Sequence, residues 1–182
     1  MKITHYLYNA FLVEEGGTKV AIDPGQNLWI FDLRSLIPEE EWSSVTHIVI
    51  THGDPDHHWQ SDRVAEASGA PVVCGTGLTK TENKQTLVVD PRGKELTSWV
   101  HYDNLYPLDV GDSVELDGAT FEAVRSLHGP IEVPLLGFKI CKRPGAGERT
   151  GLGSMGFKIS IGEKSILNLG DSLLLNDWEG LQ

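Results

Sequence analysis

Basic residues are scarce in this chain: 15 Lys and Arg stand against 26 Asp and Glu over 182 residues, a net charge of −11. A surface of that sign repels a phosphate backbone, so no nucleic-acid partner is expected unless a bound cation supplies the attraction. Apolar runs are short. None approaches the roughly 20 residues that cross a bilayer, which argues against a membrane span. Only two cysteines occur, Cys74 and Cys141. Their separation fits neither a zinc-knuckle nor a redox motif, and both read as core filler of a reduced, cytoplasmic protein. Residues 1–8 hold one Lys and then a β-like stretch, which is not the pattern of a secretory leader. Short-period repeats and low-complexity tracts are missing as well.

What remains is the composition of an ordinary globular protein, 40% hydrophobic and 23% charged. Its length suits one core, and 1–182 is read as a single domain. Strands are expected at 2–8, 10–15 and 18–23, with Gly16-Gly17 as a turn and Asp23-Pro24-Gly25 as a stop. A short helix or turn is expected near 38–42. The run 45–51 (VTHIVIT) is compact and β-branched, which predicts a central strand buried on both faces. A polar loop, 52–58, follows. Residues 62–68 predict a helix stopped by Gly69, and 71–74 a further strand, so this stretch makes a parallel pair with a right-handed crossover. From Val110 the pattern turns to hairpins: 112–116 with 120–127, one strand across 131–141, then 156–161 with 165–169. The stretch 80–105 carries no readable pattern.

Three of these strands end in a residue able to bind a metal: His52 after 45–51, His128 after 121–127, and Asp171 after 165–170. The carboxyl edge of a layered α/β protein is where loops converge over a rigid support. The densest signal is His52-x-Asp54-x-Asp56-His57. Pro55 pushes Asp54 toward extended backbone, and the two-residue period then aims His52 and Asp54 to one side. They can serve one ion while Asp56 and His57, beyond the Pro bend, serve a second. The plainer alternative is an Asp-capped turn ahead of the helix. A cap needs one Asp, not two His and two Asp within six residues. His128 or Asp171 alone would carry little weight; their order after the cluster is what counts.

That order resembles the metallo-β-lactamase fold superfamily, whose loop reads His-x-His-x-Asp-His and is followed by a single His, a metal-bridging Asp and a final His. ITHGDPDHH (50–58), SLHGP (126–130) and NLGDS (168–172) match the first three elements. YNAFLVEEGGTKVAIDPG (8–25) is similar to the family's opening strands, closest to the branch with ascorbate-phosphate-lactonase-like proteins. The resemblance implies a four-layer αββα sandwich and a metal-dependent hydrolase. It implies His52, His128 and Asp54 at a first metal, Asp56 and His57 at a second, and Asp171 between them. Asp56 is also the expected catalytic carboxylate. Zn²⁺ is the expected cofactor, one or two ions, with Mn²⁺ or Fe²⁺ as alternatives, and the substrate is expected to be a small ester, lactone or phosphoester.

Two departures from the family pattern carry consequences. Asp54 stands where most of the family has His, so three carboxylates face two divalent ions and the centre is expected to be less electrophilic and more tolerant of oxygen-preferring metals. No His follows His128, so the second half is read as incomplete near Gln182. Those departures keep two alternatives open: a di-iron redox domain, and a metal-binding module without turnover. Asp23 is expected either to orient a ligand His or to serve as a turn residue. His58 can substitute for a ligand but is read as an exposed neighbour of the cluster, and His5, His47 and His101 are expected to be structural or on the surface. The Gly-rich stretch 142–156, with Lys142, Arg143 and Arg149, reads as a solvated hairpin connection rather than a loop closing over an anionic substrate.

Overall fold

The computed structural model describes residues 1–27, 34–82, 85–89, 95–100, 104–128, 131–135, 138–142 and 154–173. Gly16 and Gly17 take positive φ, 57° and 93°, and so reverse the chain between β2 (Phe11–Glu15) and β3 (Thr18–Ile22). β1 (Lys2–His5) pairs antiparallel with the other side of β2. β3 pairs in parallel with β4 (His47–Ile50), and β4 in parallel with β5 (Val72–Gly75). One helical turn, α1 (Glu39–Trp42), lies between β3 and β4. Between β4 and β5 come a second turn, α2 (Pro55–His58), and the helix α3 (Ser61–Ser68). Gly69 ends α3 in the left-handed conformation, its N–H 2.7 Å from the Ala65 carbonyl.

The stretch without a readable pattern contains a three-stranded antiparallel sheet: β6 (Thr79–Glu82), β7 (Gln85–Val89) and β8 (Glu95–Val100). β9 (Leu105–Leu108) then closes the first sheet beside β5, giving the order β1-β2-β3-β4-β5-β9. A second, antiparallel sheet is formed by β10 (Ser113–Leu116) and β11 (Ala119–Arg125) with β14 (Met155–Ile161) and β15 (Lys164–Asn168). The single strand expected across 131–141 is two, β12 (Ile131–Leu135) and β13 (Phe138–Lys142), with Leu135 opposite Phe138. Gly137 is the break in sequence that the single-strand reading passed over.

The expectation for 45–51 has a direct physical counterpart. All four residues of β4 are buried, and their side chains alternate between two cores. Ile48 and Ile50 pack with Trp42 of α1, Val64 of α3, and Val72 and Cys74 of β5. Val49 packs on the other face with Val73, Ile22, Phe121, Phe157 and Ile159, between the two sheets. Each such fully buried side chain contributes about 1.5–3 kcal/mol. The layers therefore run helices, sheet, sheet, and among the described residues no helix follows Leu78. No helix among them is long and apolar enough to cross a membrane.

His47 fastens the end of β4 remote from His52. It is 1% exposed, its Nε2 lies 2.9 Å from the Leu116 carbonyl and its Nδ1 2.8 Å from Thr46 Oγ1. The carbonyl only accepts, so Nε2 carries the hydrogen. Burial holds the imidazole pKa below its ordinary 6.5, against the opposing pull of the Leu116 carbonyl and Asp117. The unfolded chain therefore binds the proton more readily, and stability present above 6.5 is lost as pH falls through the lowered folded value. In thermal unfolding from about pH 8 to about pH 5, His47→Gln should lose less stability than wild type. An identical pH dependence in the two proteins would show that His47 stays neutral without cost.

Candidate metal centre

Asp23 follows β3 at the carboxyl edge of the first sheet, with φ of 45° and no solvent exposure. Four donors meet its carboxylate: the Thr51 N–H on Oδ1 at 2.7 Å, and on Oδ2 the Thr51 hydroxyl at 2.6 Å, His57 Nδ1 at 2.8 Å and Asn9 Nδ2 at 2.6 Å. The turn-residue reading of Asp23 gives way to that of a carboxylate that orients a His. Its oxygens also lie within 4.8 Å of nitrogens of His52 and His57, as a metal ligand's would. Three donors engage Oδ2 and one engages Oδ1, so the carboxylate is held chiefly by its partners Thr51, His57 and Asn9.

Those contacts settle two tautomers. The Thr51 hydroxyl has one hydrogen, and the Asp23 carboxylate, which only accepts, takes it. Toward His52 Nδ1, at 3.0 Å, the same oxygen must accept, so Nδ1 bears the hydrogen and Nε2 keeps a lone pair. His57 Nδ1 likewise donates to Asp23, turning its Nε2 inward. Residues 54–58 are not the polar loop expected: the Asp54 carbonyl accepts the N–H groups of His57 at 2.9 Å and His58 at 3.1 Å and starts α2. Pro55, lacking an N–H, suits the first turn. The capping alternative for Asp56 fails, because Gln60, at φ 73°, holds the N-cap position of α3.

His128 and Asp171 arrive from the second sheet. His128 follows β11 and forms a β-bridge with Ser172, beside Asp171. The Met155 N–H donates to the Thr51 carbonyl at 2.8 Å, joining the two sheets at this edge. Gly170, φ 58°, sits so close to Thr51 that a Cβ there would lie 2.7 Å from its Oγ1.

All six residues expected as ligands come together. Asp54 Oδ2 lies 3.5 Å from His52 Nε2 and 3.3 Å from His128 Nε2. His57 Nε2 lies 3.6 Å from Asp56 Oδ2 and 3.7 Å from Asp171 Oδ2, and Asp171 Oδ2 is 4.0 Å from His128 Nε2. Ligands about 2.1 Å from a tetrahedral ion sit about 3.4 Å from one another. Direct hydrogen bonds would be shorter. His52 Nε2 is fully buried with no hydrogen-bond partner. A lone pair aimed at carboxylates, at ligand spacing, fits a cation.

The charges respond as a cation-binding set does. Burial raises the Asp54 carboxyl, but His128 and His52 outweigh it and hold the group well below the ordinary range. Asp171 is brought down to about 2 by His57 against the same burial. Asp56 is raised, chiefly by burial. His52 is lowered by burial and by His57. His57 is raised well above 6.5 despite burial, with Asp23 the largest favourable influence and Asp171 next. A proton on His57 thus occupies the position an ion would compete for.

His58 corrects an expectation. It is wholly buried, not an exposed neighbour, and its Nδ1 lies 3.1 Å from the Asp54 carbonyl. It lies on α2, whose first carbonyl acceptor is Asp54, and burial lowers its pKa to about 4. Its Nε2 has no partner, yet among the described residues it joins no group of converging ligand atoms. Of the other expectations, His5 is exposed with its Nε2 on the Tyr8 carbonyl, and Cys74 is buried, which raises its thiol to about 12. His101, Arg143, Arg149 and the side chains of Cys141 and Lys142 lie outside the described residues. Asn9, Thr51 and Asn168 went unnoticed in the sequence, where an Asn or Thr beside a strand has no distinguishing pattern.

Gly25 allows the ligand loop its position. A Cβ on it would lie 1.9 Å from the Asp56 carbonyl oxygen and 2.6 Å from the His57 nitrogen. Backbone cannot step aside as a side chain can. Gly25→Ala is expected to cost at least about 2 kcal/mol of stability and to weaken metal binding, measured by denaturant unfolding and by metal titration. Unchanged values of both would refute that packing.

The family model described as "Beta-lactamase superfamily domain" matches residues 2–179. A UPF0173 metal-dependent hydrolase of Pyrobaculum arsenaticum is 30% identical over 182 residues, covering 98% of this chain and 65% of that protein. Another, of Alkaliphilus metalliredigens, is 26% identical over 185 residues, 98% of this chain and 66% of that one. The chain thus spans less than two thirds of the length of these relatives. Among solved structures it is similar to Igni18, a metallo hydrolase from Ignicoccus hospitalis, with a TM-score of 0.58 and 20% identity over 96% of this chain and 62% of that one. It is also similar to MEM-A1, a subclass B3 metallo-beta-lactamase from a soil metagenome library, at 0.52 and 17% over 87% and 54%. At those identities the likeness is one of fold. The chain belongs to the beta-lactamase superfamily, and its fold is that of the metallo-β-lactamases.

Proposed function

We propose that this chain carries the metal centre of a hydrolase acting on a small ester, lactone or phosphoester. One observation carries the reading: two buried imidazoles, each with its Nδ1–H held by a neighbour, turn their Nε2 atoms toward three carboxylates at ligand spacing. In this proposal His52, Asp54 and His128 hold one ion, Asp56 and His57 hold a second, and Asp171 is shared. Divalent ions bound there would supply Lewis acidity and lower the pKa of a coordinated water toward neutrality. The side chains do the rest. Asp23 and Thr51 keep the two imidazoles in the binding tautomer. Asp56, beside His57, is the carboxylate proposed to act in catalysis. Asp171, half-exposed, lies on the side open to substrate.

His52→Ala and His128→Ala should each remove one ion per chain and lower hydrolysis at least about 100-fold, read by elemental analysis and by a screen of esters, lactones and phosphodiesters. Activity that survives complete chelation of metal would sink the proposal.

Metal choice follows from Asp54. Against the +4 of two divalent ions, Asp54, Asp56 and Asp171 set −3 where a His at 54 would leave −2. That favours Mn²⁺ or Fe²⁺ beside Zn²⁺. Protein purified without added metal should contain them, and Asp54→His should shift the content toward zinc. Zinc alone in both proteins would rule this out. Iron with an absorbance change on reduction would instead favour the redox reading that the same carboxylate suits.

A further inference from the structure

The proposed centre is assembled from two sheets, so something must hold its halves in register. Asn9 precedes β2 of the first sheet; Asn168 ends β15 of the second. Their side-chain amides pair reciprocally: Asn9 Nδ2 donates to Asn168 Oδ1 at 3.0 Å, and Asn168 Nδ2 to Asn9 Oδ1 at 3.1 Å. The second hydrogen of Asn9 Nδ2 goes to Asp23 Oδ2 at 2.6 Å, the oxygen that receives His57 Nδ1. The second lone pair of Asn168 Oδ1 takes the Gly170 N–H at 3.0 Å, one residue before Asp171. An unbroken chain of hydrogen bonds thus runs from His57 through Asp23, Asn9 and Asn168 to the N–H of Gly170, one residue before Asp171.

We propose that the Asn9–Asn168 amide pair is a positioning clamp that sets Asp171 against His57, and so governs occupancy of the ion these two residues would share with Asp56. The inference rests on the metal reading above. Asn168 is buried and Asn9 half-buried, and water does not replace a buried amide pair without leaving donors unmet. The pair reaches no ligand of the His52, Asp54 and His128 group directly. The pair acts on two residues of one ion, His57 and Asp171, and on the other only through the shared Asp171, so the larger loss should fall on the first. A residue that acted on stability alone would not discriminate.

The test is a zinc titration of the metal-free protein against a competing chelator, with unfolding temperature measured alongside. Wild type should bind in two steps. Asn9→Ala and Asn168→Ala should each weaken one step about 10–100-fold and move the other less than about 3-fold. Asn168→Asp keeps the acceptor that Asn9 and Gly170 use but sets an oxygen against Asn9 Oδ1 where an N–H stood, so it should keep part of the affinity that Asn168→Leu, with neither group, loses. Because the two amides act as one unit, the double Ala variant should be little worse than the poorer single one. Additive losses, equal losses in both steps, or a lowered unfolding temperature with both steps unchanged would each overturn the clamp. If wild type binds a single ion, the two-ion reading fails. The clamp is then judged without metal, by amide exchange at Gly170 and by the His57 Nδ1–H resonance. Faster exchange and a shifted resonance in Asn168→Ala would sustain it; no change in either would end it.

Discussion

A carboxylate buried without solvent must find donors for its lone pairs or lose its charge. Asp23 finds four, and each donor comes from a segment that the site needs. Thr51 gives two and so fixes the exit of β4, from which His52 departs. His57 gives one and is thereby oriented. Asn9 gives the last and brings the second sheet with it. Removing the charge would strand all four donors at once. The arrangement of the edge is in this sense the solvation shell of one anion, made from protein instead of water.

Thr51 extends the same logic to the next shell. Its hydroxyl gives its only hydrogen to Asp23 and must accept from His52, so a single group chooses the tautomer of a neighbouring imidazole. Its carbonyl takes the Met155 N–H, and Gly170 closes against its side chain. The two sheets meet at this residue. The apolar core between them, with Phe121, Phe157 and Val49, supplies the adhesion but no such directionality. Hydrogen bonds at the edge supply the registration.

Much of this was legible in the chain. The β-branched run 45–51 named its own strand because a segment buried on both faces leaves no room for polar alternation. His52, Asp54, Asp56 and His57 were legible because their density exceeds what a turn requires. His128 and Asp171 were legible only through order along the chain, since each alone looks like an ordinary loop residue. The helical turn at 55–58 was hidden, because the same Pro55 that extends Asp54 also opens a helix. His58 was misplaced for that reason: on a loop it would face water, on a helical turn it goes beneath. Asn9 and Asn168, 159 residues apart, could not be paired by any local rule. The three strands at 79–100 stayed unread because their sequence has neither strict alternation nor a compact apolar run.

Asp54 brings the local and electrostatic arguments together. Its side chain faces His52 and His128, while its carbonyl accepts the N–H groups of His57 and His58 and the Nδ1 of His58. The backbone task is independent of the side chain, since any residue in that conformation presents the same carbonyl. Exchanging Asp for His at 54 would therefore leave the start of α2 in place and alter only the charge inside the site. The geometry of the loop is set by Pro55, Gly25 and the Asp23 network; the charge it brings beside His52 and His128 is set by one side chain. A scaffold with that separation can change its metal preference, and with it its chemistry, without disturbing the hydrogen bonds that make it fold.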